Sequence, residues 1–268
     1  MKLYLLLPLI LPVFTCCQQY NIKQPAANIR NTDEQSNNYY KLIRDIPCPT
    51  GYKRISLEKY SFGSWLRDMP LKKDKAVHLY DGSLKINQDA QFAVMGLTVG
   101  NRDLQQCADA IMRLRAEYLY SKAQYSSIRF YDNNNFCYTC PQNCNRAVFE
   151  KYLERVFSYC GTLSLQKQLS NCNIEEITAG TVIIQGGSPG HAVIVVDAAE
   201  DLSGHKIYLI AQSFMPAQEM HILNNPFQNA ISPWYSIESV DIQTPGHRRN
   251  PGCPCARPCR ACECHRDR

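Results

Sequence analysis

Residues 181–213 read TVIIQGGSPGHAVIVVDAAEDLSGHKIYLIAQS, with three apolar runs at residues 181–185, 191–197 and 206–213. Short apolar runs bounded by turn-forming residues predict strands. The connection GGSPG is short enough to join the first two strands as an antiparallel hairpin. Because the run centres VII, VIVV and IYLI are apolar at successive positions, we expect other elements to cover both faces of this sheet.

Two helices are predicted upstream of these strands. Residues 103–121 carry apolar side chains at steps of three and four, and residues 145–160 carry a second such stripe that ends before Gly161. The stripe of the first helix consists of Leu104, Cys107, Ile111, Leu114 and Tyr118. Helices followed by an antiparallel sheet predict the α+β class, in a single domain over residues 41–244.

Composition restricts the kinds of protein that this chain can be. Of its 268 residues, 45% are hydrophobic and 20% are charged, which argues against wholesale disorder and against a coiled coil. The net charge is +5, but residues 245–268 hold six Arg against two acidic residues. The other 244 residues therefore carry only about +1, and we expect no nucleic-acid partner for the folded part.

The beginning of the chain is typical of an exported protein. Lys2 precedes an apolar run at residues 3–14, which is too short to span a bilayer, so residues 1–17 are predicted to be a signal peptide. The following Cys16 and Cys17 indicate a lipoprotein held in the membrane of the cell envelope by an N-terminal lipid anchor, and polar residues 18–40 would be its tether. Simple secretion and a cytoplasmic location are the alternatives.

The end of the chain, residues 245–268, is predicted to be a disordered tail rich in Cys, Arg and Pro. It shows no apolar periodicity, and an out-of-frame end is an alternative explanation of its composition. Its spacings also suit zinc or Cu(I), but no helix or strand signal is present to hold a tetrahedral site. The residues concerned are Cys253, Cys255, Cys259, Cys262, Cys264 and His265.

A second group of cysteines lies in YDNNNFCYTCPQNCN, where Cys137, Cys140 and Cys144 have a CxxCxxxC spacing. Three thiols without a nearby His make an incomplete zinc site. Export makes disulfides possible, with Cys160 or Cys172 as further partners, and the spacing does not decide the connectivity. We therefore predict no metal site and no cofactor.

A thiol and an imidazole form the candidate catalytic site. Cys107 lies on the first long helix, and His191 opens the second strand after a Pro-Gly turn. A helix N-terminus and an imidazole stabilise a thiolate nucleophile, and a third polar group fixes the tautomer of the imidazole. Gln212, near the end of the next strand, is predicted to be that third group.

Strand geometry supports Gln212 over the other polar residues nearby. If Asp197 pairs with Lys206, then His191 falls opposite Gln212, and opposed side chains lie about 5 Å apart. A register slip of one residue would offer Ser213 instead. Asp197 itself is predicted on the same face as His191 but roughly 20 Å along the strand, too far to orient the ring.

Structural roles are the alternative for each of these residues. Cys107 shares the apolar stripe, and a buried Cys often serves as a small hydrophobic residue. A helix that starts at residue 103 would also place Cys107 past the first turn, where the helix dipole has faded. Gln105 and Gln106 are either oxyanion donors or water-facing side chains, and His221 is a spare imidazole with no visible partner.

Five blocks of this sequence resemble a bacterial envelope family, the domain of unknown function 4846. The blocks are FGSWLRDMPL (62–71), LYDG (79–82), GNRDLQQCADAIMRLRAEYLY (100–120), GGSPGHAVIVVD (186–197) and LIAQSFMPAQEMHILNNP (209–226). The resemblance covers roughly residues 45–245 and implies an exported, lipid-anchored bacterial protein without an established activity. The stretch 137–144 and the segment after residue 244 depart from it.

The order of the candidate residues is similar to papain-like thiol hydrolases of the NlpC/P60 and transglutaminase-like kinds. That similarity implies a Cys-bearing helix packed on an antiparallel sheet, with Cys107 as nucleophile, His191 as base and Gln212 as its orienting partner. The acidic residue expected after Gly180 is missing, because Thr181 stands there. We predict a cysteine amidase or acyl transferase acting on cell-wall peptides, with a non-catalytic surface lipoprotein that binds a ligand or partner as the alternative.

Overall fold

The computed structural model describes residues 39–237 and the backbone of residues 260–263. The predicted signal peptide, the lipidated cysteine and nearly all of the tether lie outside the described residues, as does most of the predicted tail. Within the described part of the chain, no helix is long and apolar enough to cross a bilayer.

The four described α-helices lie between residues 62 and 168, with short strands before, between and after them. They are α1 (Phe62–Arg67), α2 (Cys107–Ser121), α3 (Arg146–Tyr159) and α4 (Thr162–Gln168). The strands are β1 (Lys53–Arg54), β2 (Gln91–Val94), β3 (Arg129–Tyr131), β4 (Cys137–Thr139), β5 (Ser170–Asn171), β6 (Thr181–Gln185), β7 (His191–Glu200), β8 (Lys206–Gln212), β9 (His221–Leu223), β10 (Trp234–Ser236) and β11 (Arg260–Glu263).

One antiparallel sheet organises the molecule. Its strand order is β2-β9-β8-β7-β6-β11-β5, and β1 and β10 pair with parts of β7 and β8. The strands β3 and β4 form a separate hairpin. Helices combined with an antiparallel sheet confirm the predicted α+β class.

The sheet is covered on both faces, as its uninterrupted apolar strands predict. Helix α2 packs on β7, and the larger apolar cluster joins Ile111 and Leu114 of the helix to Ile194 of the strand. A smaller cluster on the opposite face includes Val193 and Val195. Burial on two sides explains why the central strands have no polar alternation.

Helix α2 begins four residues later than predicted, whereas α3 begins and ends within one residue of its prediction. Asp103 does not start a helix, because its carboxylate accepts the Ala217 N–H at 2.7 Å and holds this segment to the chain beyond β8. The helix starts instead where Asp109 accepts the Gln106 N–H at 3.1 Å. For α3, the Asn145 side chain accepts the Val148 N–H at 3.0 Å, as an N-cap residue does.

The predicted register of β7 and β8 is wrong. Glu200, not Asp197, pairs with Lys206, and a bulge lies between Val195 and Asp197. One extra residue in a strand is invisible to a count that assumes regular pairing. The alternation of faces also changes there, because Val195 and Ala198 both belong to the smaller cluster. Counting alternate residues from His191 therefore does not give the face on which Asp197 lies.

Asp197 is fully buried between two arginines. The Nε atoms of Arg54 and Arg67 donate to its two carboxylate oxygens, each at 2.7 Å. Each arginine also donates to a backbone carbonyl, Arg54 to Ile46 and Arg67 to Ile55. This ion cluster ties β1 and α1 to β7.

Part of the segment predicted to be a disordered tail has regular structure. The backbone of β11 pairs with both β6 and β5. Strand pairing at a sheet edge uses backbone groups, so a segment without apolar periodicity is able to form it.

Candidate functional site

Cys107 is the first residue of α2, with Gln106 as the N-cap. The expectation that Cys107 lies past the first turn is therefore wrong, because it depended on a helix that starts at residue 103. At the N-terminus, the unpaired N–H groups and the helix dipole favour negative charge on a nearby side chain.

The thiol of Cys107 is buried and lies against the start of β7. Burial raises its pKa, while the backbone N–H groups of Ala192 and Ala108 lower it through hydrogen bonds to the sulfur. Ala192 directly follows His191 in β7. The structure thus brings the sulfur to the backbone position next to the candidate base. The net upward direction of the pKa means that the resting group is a neutral thiol.

The predicted contact between His191 and Gln212 is present. Nε2 of His191 and Oε1 of Gln212 are 3.0 Å apart, and both side chains are buried. They are not directly opposed, because Ile194 pairs with Ala211 and this register places His191 two residues beyond the position opposite Gln212. Diagonal neighbours on one sheet face lie about 7–8 Å apart, which a long side chain spans.

The hydrogen bond to Gln212 sets the tautomer of His191. An amide oxygen only accepts, so the imidazole donates from Nε2, and the neutral ring carries its lone pair on Nδ1. The ring of Phe214 stands edge-on to the imidazole at 5.3 Å between centroids. In this tautomer Nδ1 is the ring atom that is able to accept a proton.

Ser213, the alternative partner of His191, makes other contacts. Its hydroxyl lies 3.2 Å from the Gln105 carbonyl oxygen and 2.8 Å from the Gln218 carbonyl oxygen. These bonds connect the end of β8 to the segment that leads into α2. Ser213 therefore positions the chain next to Cys107 and does not orient the imidazole.

The turn before His191 is held from outside by α4. A Cβ on Gly190 would collide with the carbonyl oxygen of Gly187, so this position requires glycine. The Gly186 N–H donates to Gln166 Oε1 of α4 at 2.7 Å. These contacts fix where β7 begins and hence where the His191 side chain lies.

Gln105 is buried and does not face water, although Gln106 is only half-buried. Gln105 Oε1 accepts from Arg113 at 3.2 Å, and among the described residues Nε2 has no hydrogen-bond partner. A buried amide donor left without a partner costs free energy. It is therefore a candidate to bind an oxygen atom of a ligand.

His221 has a defined place beside Gln212, which the sequence pattern did not reveal. It lies directly opposite Gln212 on β9 and is fully buried. Its Nδ1 is 2.8 Å from the carbonyl oxygen of Glu219, and Nε2 has no hydrogen-bond partner within the described chain. Burial lowers its pKa to about 4, so this imidazole is neutral at physiological pH.

Asp109 is a buried carboxyl two residues from Cys107 that the sequence pattern did not single out. Burial raises the pKa of its carboxyl to about 8, although the hydrogen bonds to one oxygen work in the other direction. The second oxygen, Oδ1, has no hydrogen-bond partner in the part of the chain that is described. Its spacing, three residues after the N-cap, was the available signal, because helix-capping acids occupy that position.

Potential metal ligands do not converge in the main body of the chain. Among residues 39–237, no group of three or more His, Cys, Asp or Glu side chains is arranged to hold a metal ion. The cysteine-rich tail, with its possible metal-binding spacing, lies outside the described side chains.

Comparison with protein-family models gives a match to the domain of unknown function 4846, over residues 42–140 and 132–250. The chain belongs to this family. The resemblance of the sequence blocks to this family is therefore confirmed, and the description of the family names no activity. Searches of curated proteins and of solved structures returned no match.

Proposed function

We propose that this protein is an exported cysteine hydrolase or acyl transferase that acts on amide bonds, built on a papain-like form of the α+β fold. One observation carries the proposal. The Cys107 sulfur accepts from the N–H of Ala192, the residue next to His191, while Gln212 orients His191. The proposal places a nucleophile, a base and an orienting group together where a helix starts beside two strands.

The reaction begins from a neutral thiol. As the Cys107 sulfur attacks the amide carbon, His191 takes the thiol proton on Nδ1, and a tetrahedral oxyanion forms. The backbone N–H of Cys107 and the Nε2 amide of Gln105 are the candidate oxyanion donors. The imidazolium then protonates the leaving amine. Water, or an acceptor amine, completes the cycle by attacking the thioester and releasing Cys107.

The direction of the Cys107 pKa distinguishes this mechanism from one that uses a preformed thiolate–imidazolium pair. A preformed pair requires a lowered thiol pKa, and here burial raises it. Proton transfer to His191 therefore accompanies attack on the carbonyl. We expect slow alkylation of Cys107 at pH 6 and faster alkylation as the pH rises.

Peptides of the cell wall are the proposed substrates, because the first 17 residues have the pattern of an export signal and two cysteines follow the apolar run. The same residues favour a lipid anchor in the cell envelope. Mass spectrometry of the N-terminal peptide from membranes tests this location. A lipid-modified Cys16 or Cys17 is expected, and an unmodified N-terminus on secreted protein would contradict the anchor.

The decisive experiment measures release of amines from cell-wall stem peptides by the full chain. Cys107→Ala is compared with Cys48→Ala, a matched control because Cys48 is also an unbonded thiol but lies near the Asp197 ion cluster. Hydrolysis or transfer that the control retains and Cys107→Ala loses supports the proposal. Turnover that survives in Cys107→Ala, or cell-wall peptides that stay intact with the wild-type protein, would refute it.

A non-catalytic lipoprotein that binds a ligand or partner is the second candidate, and the burial of the Cys107 thiol favours it. Alkylation of the native protein separates the two. If Cys107 reacts with iodoacetamide only after denaturation, it is a core residue. If it reacts in the native state, and more slowly in His191→Ala, it is the thiol of a working site.

A further inference from the structure

Two other cysteines lie close together far from Cys107. The sulfur atoms of Cys140 and Cys144 are 2.9 Å apart, and both side chains are buried. Tyr120, in the last turns of α2, donates its hydroxyl to the Cys144 carbonyl oxygen at 3.1 Å. Thirteen residues of helix, about 20 Å, separate Tyr120 from Cys107, so this pair belongs to a different part of the molecule.

The surrounding structure holds the pair in place. The Cys140 N–H donates to the Ile128 carbonyl oxygen at 2.9 Å, which fixes the end of the β3–β4 hairpin. Cys144 directly precedes Asn145, the N-cap of α3. The intervening residues 141–143 are exposed and form the turn between them. Each cysteine therefore lies next to a regular element whose position is set by other contacts.

Other thiols lie nearby without comparable geometry. Burial raises the pKa of the Tyr152 hydroxyl, and negative charge on Cys137, Cys140, Cys144 or Cys160 would raise it further. Cys160 donates to the Tyr131 carbonyl oxygen at 3.4 Å, and Cys137 lies 3.6 Å from the Thr139 hydroxyl. All four are free thiols in the structure, and within the described chain they form no metal-binding group. The contact of 2.9 Å between the sulfurs of Cys140 and Cys144 is longer than a disulfide bond of about 2.0 Å, but a small shift of either side chain would close it.

We propose that Cys140 and Cys144 form a disulfide that clamps the end of strand β4 to the start of helix α3. The connectivity uses neither Cys160 nor Cys172, which the spacing alone had left as partners. It also leaves Cys107 as a thiol. The inference is independent of the proposed enzymatic activity, because a binding protein with the same fold would carry the same cross-link.

Oxidised glutathione, a small-molecule disulfide, serves as the oxidant. One of the two thiols, written here as Cys144, attacks first as its thiolate. That attack breaks the glutathione S–S bond, forms a mixed disulfide and releases one glutathione. Cys140 then loses its proton, attacks the Cys144 sulfur and releases the second glutathione. Two electrons and two protons pass from the protein to the two glutathione thiols.

Both thiols are shielded from solvent in the folded protein, so the bond is expected to form while the chain folds. The test therefore starts from the reduced, unfolded full chain and refolds it in a mixture of reduced and oxidised glutathione. Remaining thiols are blocked with iodoacetamide, and trypsin is added under denaturing conditions. Cleavage after Arg129 and Arg146 gives the peptide FYDNNNFCYTCPQNCNR, which contains Cys137, Cys140 and Cys144.

The expected peptide carries one iodoacetamide adduct. Apart from that adduct, its mass is two hydrogens below that of the peptide with three free thiols. The matched control Cys137→Ser should carry no adduct and keep the two-hydrogen deficit, since the proposed bond does not involve position 137. A peptide with three adducts would overturn the proposal. A disulfide to the peptide VFSYCGTLSLQK, which contains Cys160, or to any other peptide would also overturn it. Loss of the bond in Cys137→Ser would do the same.

Discussion

The two ends of strand β7 carry buried polar groups of opposite character. At the Asp197 end, two arginines saturate both carboxylate oxygens and also bond to backbone carbonyls. At the His191 end, several buried polar atoms have no hydrogen-bond partner among the described residues. These atoms are Gln105 Nε2, Asp109 Oδ1, Gln218 Oε1 and His221 Nε2.

The difference separates a structural cluster from a candidate site. A buried polar group without a partner costs free energy, so a fold that has only structural needs satisfies such groups, as it does around Asp197. The unpartnered donors and acceptors near Cys107 and His191 are candidates to contact a bound molecule. We therefore propose that one end of the strand serves stability and the other serves chemistry, and the following substitutions test that division.

The largest expected effect is on activity, at the His191 end. Cys107→Ala removes the nucleophile, so amide cleavage is expected to fall by about 10⁴-fold or more. The midpoint of urea unfolding should change little, because only one buried sulfur is lost. Initial rates and unfolding curves on the same preparations check both parts. An active Cys107→Ala protein would remove the chemical role from this end.

The next effect is on stability, at the Asp197 end. Asp197→Asn leaves Arg54 and Arg67 without their buried counter-charge, and the free energy of unfolding is expected to fall by about 3–5 kcal/mol. Urea denaturation measures the change. Glu200→Gln is the control, because Glu200 is exposed on the same strand and its substitution should cost less than about 0.5 kcal/mol. Equal effects of the two substitutions would contradict the structural role of the cluster.

The pH dependence of stability reports on the unpartnered Asp109. Its folded pKa of about 8 lies above the usual value of 3.8, so the folded state holds a proton that the unfolded state has released. Stability from this group is fully present below about pH 4 and is lost as the pH rises through about 8. The slope approaches about 1.4 kcal/mol per pH unit in that window.

The buried His221 changes the free energy of unfolding in the opposite direction and at lower pH. Its folded pKa of about 4 lies below the usual 6.5, so its contribution is present above 6.5 and is lost as the pH falls towards 4. The Asp109 slope is therefore best measured between pH 6.5 and 8. Asp109→Asn should abolish the decline there, since the amide oxygen still accepts the Gln106 N–H. A decline that persists in this variant would assign it to another group.

The smallest expected effect concerns the orientation of the base. Gln212→Ala removes the acceptor of the His191 Nε2–H, and kcat is expected to fall by about 10–100-fold with little change in KM. Gln212→Glu keeps an acceptor, retains more activity and raises the apparent pKa on the acidic limb of the pH–rate profile. A profile that is the same in all three proteins would show that Gln212 only supports packing.

Local sequence signals were sufficient for some elements and insufficient for others. Helix α3 was predictable to one residue because its boundaries depend on adjacent residues, Asn145 and Gly161. The start of α2 was not, because Asp103 bonds to Ala217, which is 114 residues away in the sequence. The fold class followed from the apolar strands, which need no such distant contact.

The candidate site shows the same division. The predicted contact between His191 and Gln212 is present although the predicted strand register is wrong. Long side chains on neighbouring strands are able to touch across a two-residue offset. The burial of Gln105 and Asp109 depends on how the segment before α2 lies against the end of β8, which no local pattern describes. Two sulfurs of the CxxCxxxC motif likewise meet only because the hairpin and α3 converge.

The bulge between Val195 and Asp197 makes β7 behave as two short strands joined out of phase. In a strand with regular alternation, the faces of all side chains are linked. A shift that moves one side chain to the opposite face moves all of them. The extra residue removes that coupling. Sequence changes at the Asp197 end are then free to alter how β1 and α1 are anchored without turning His191 away from Gln212. The two ends of one strand are thereby able to change in sequence independently of each other.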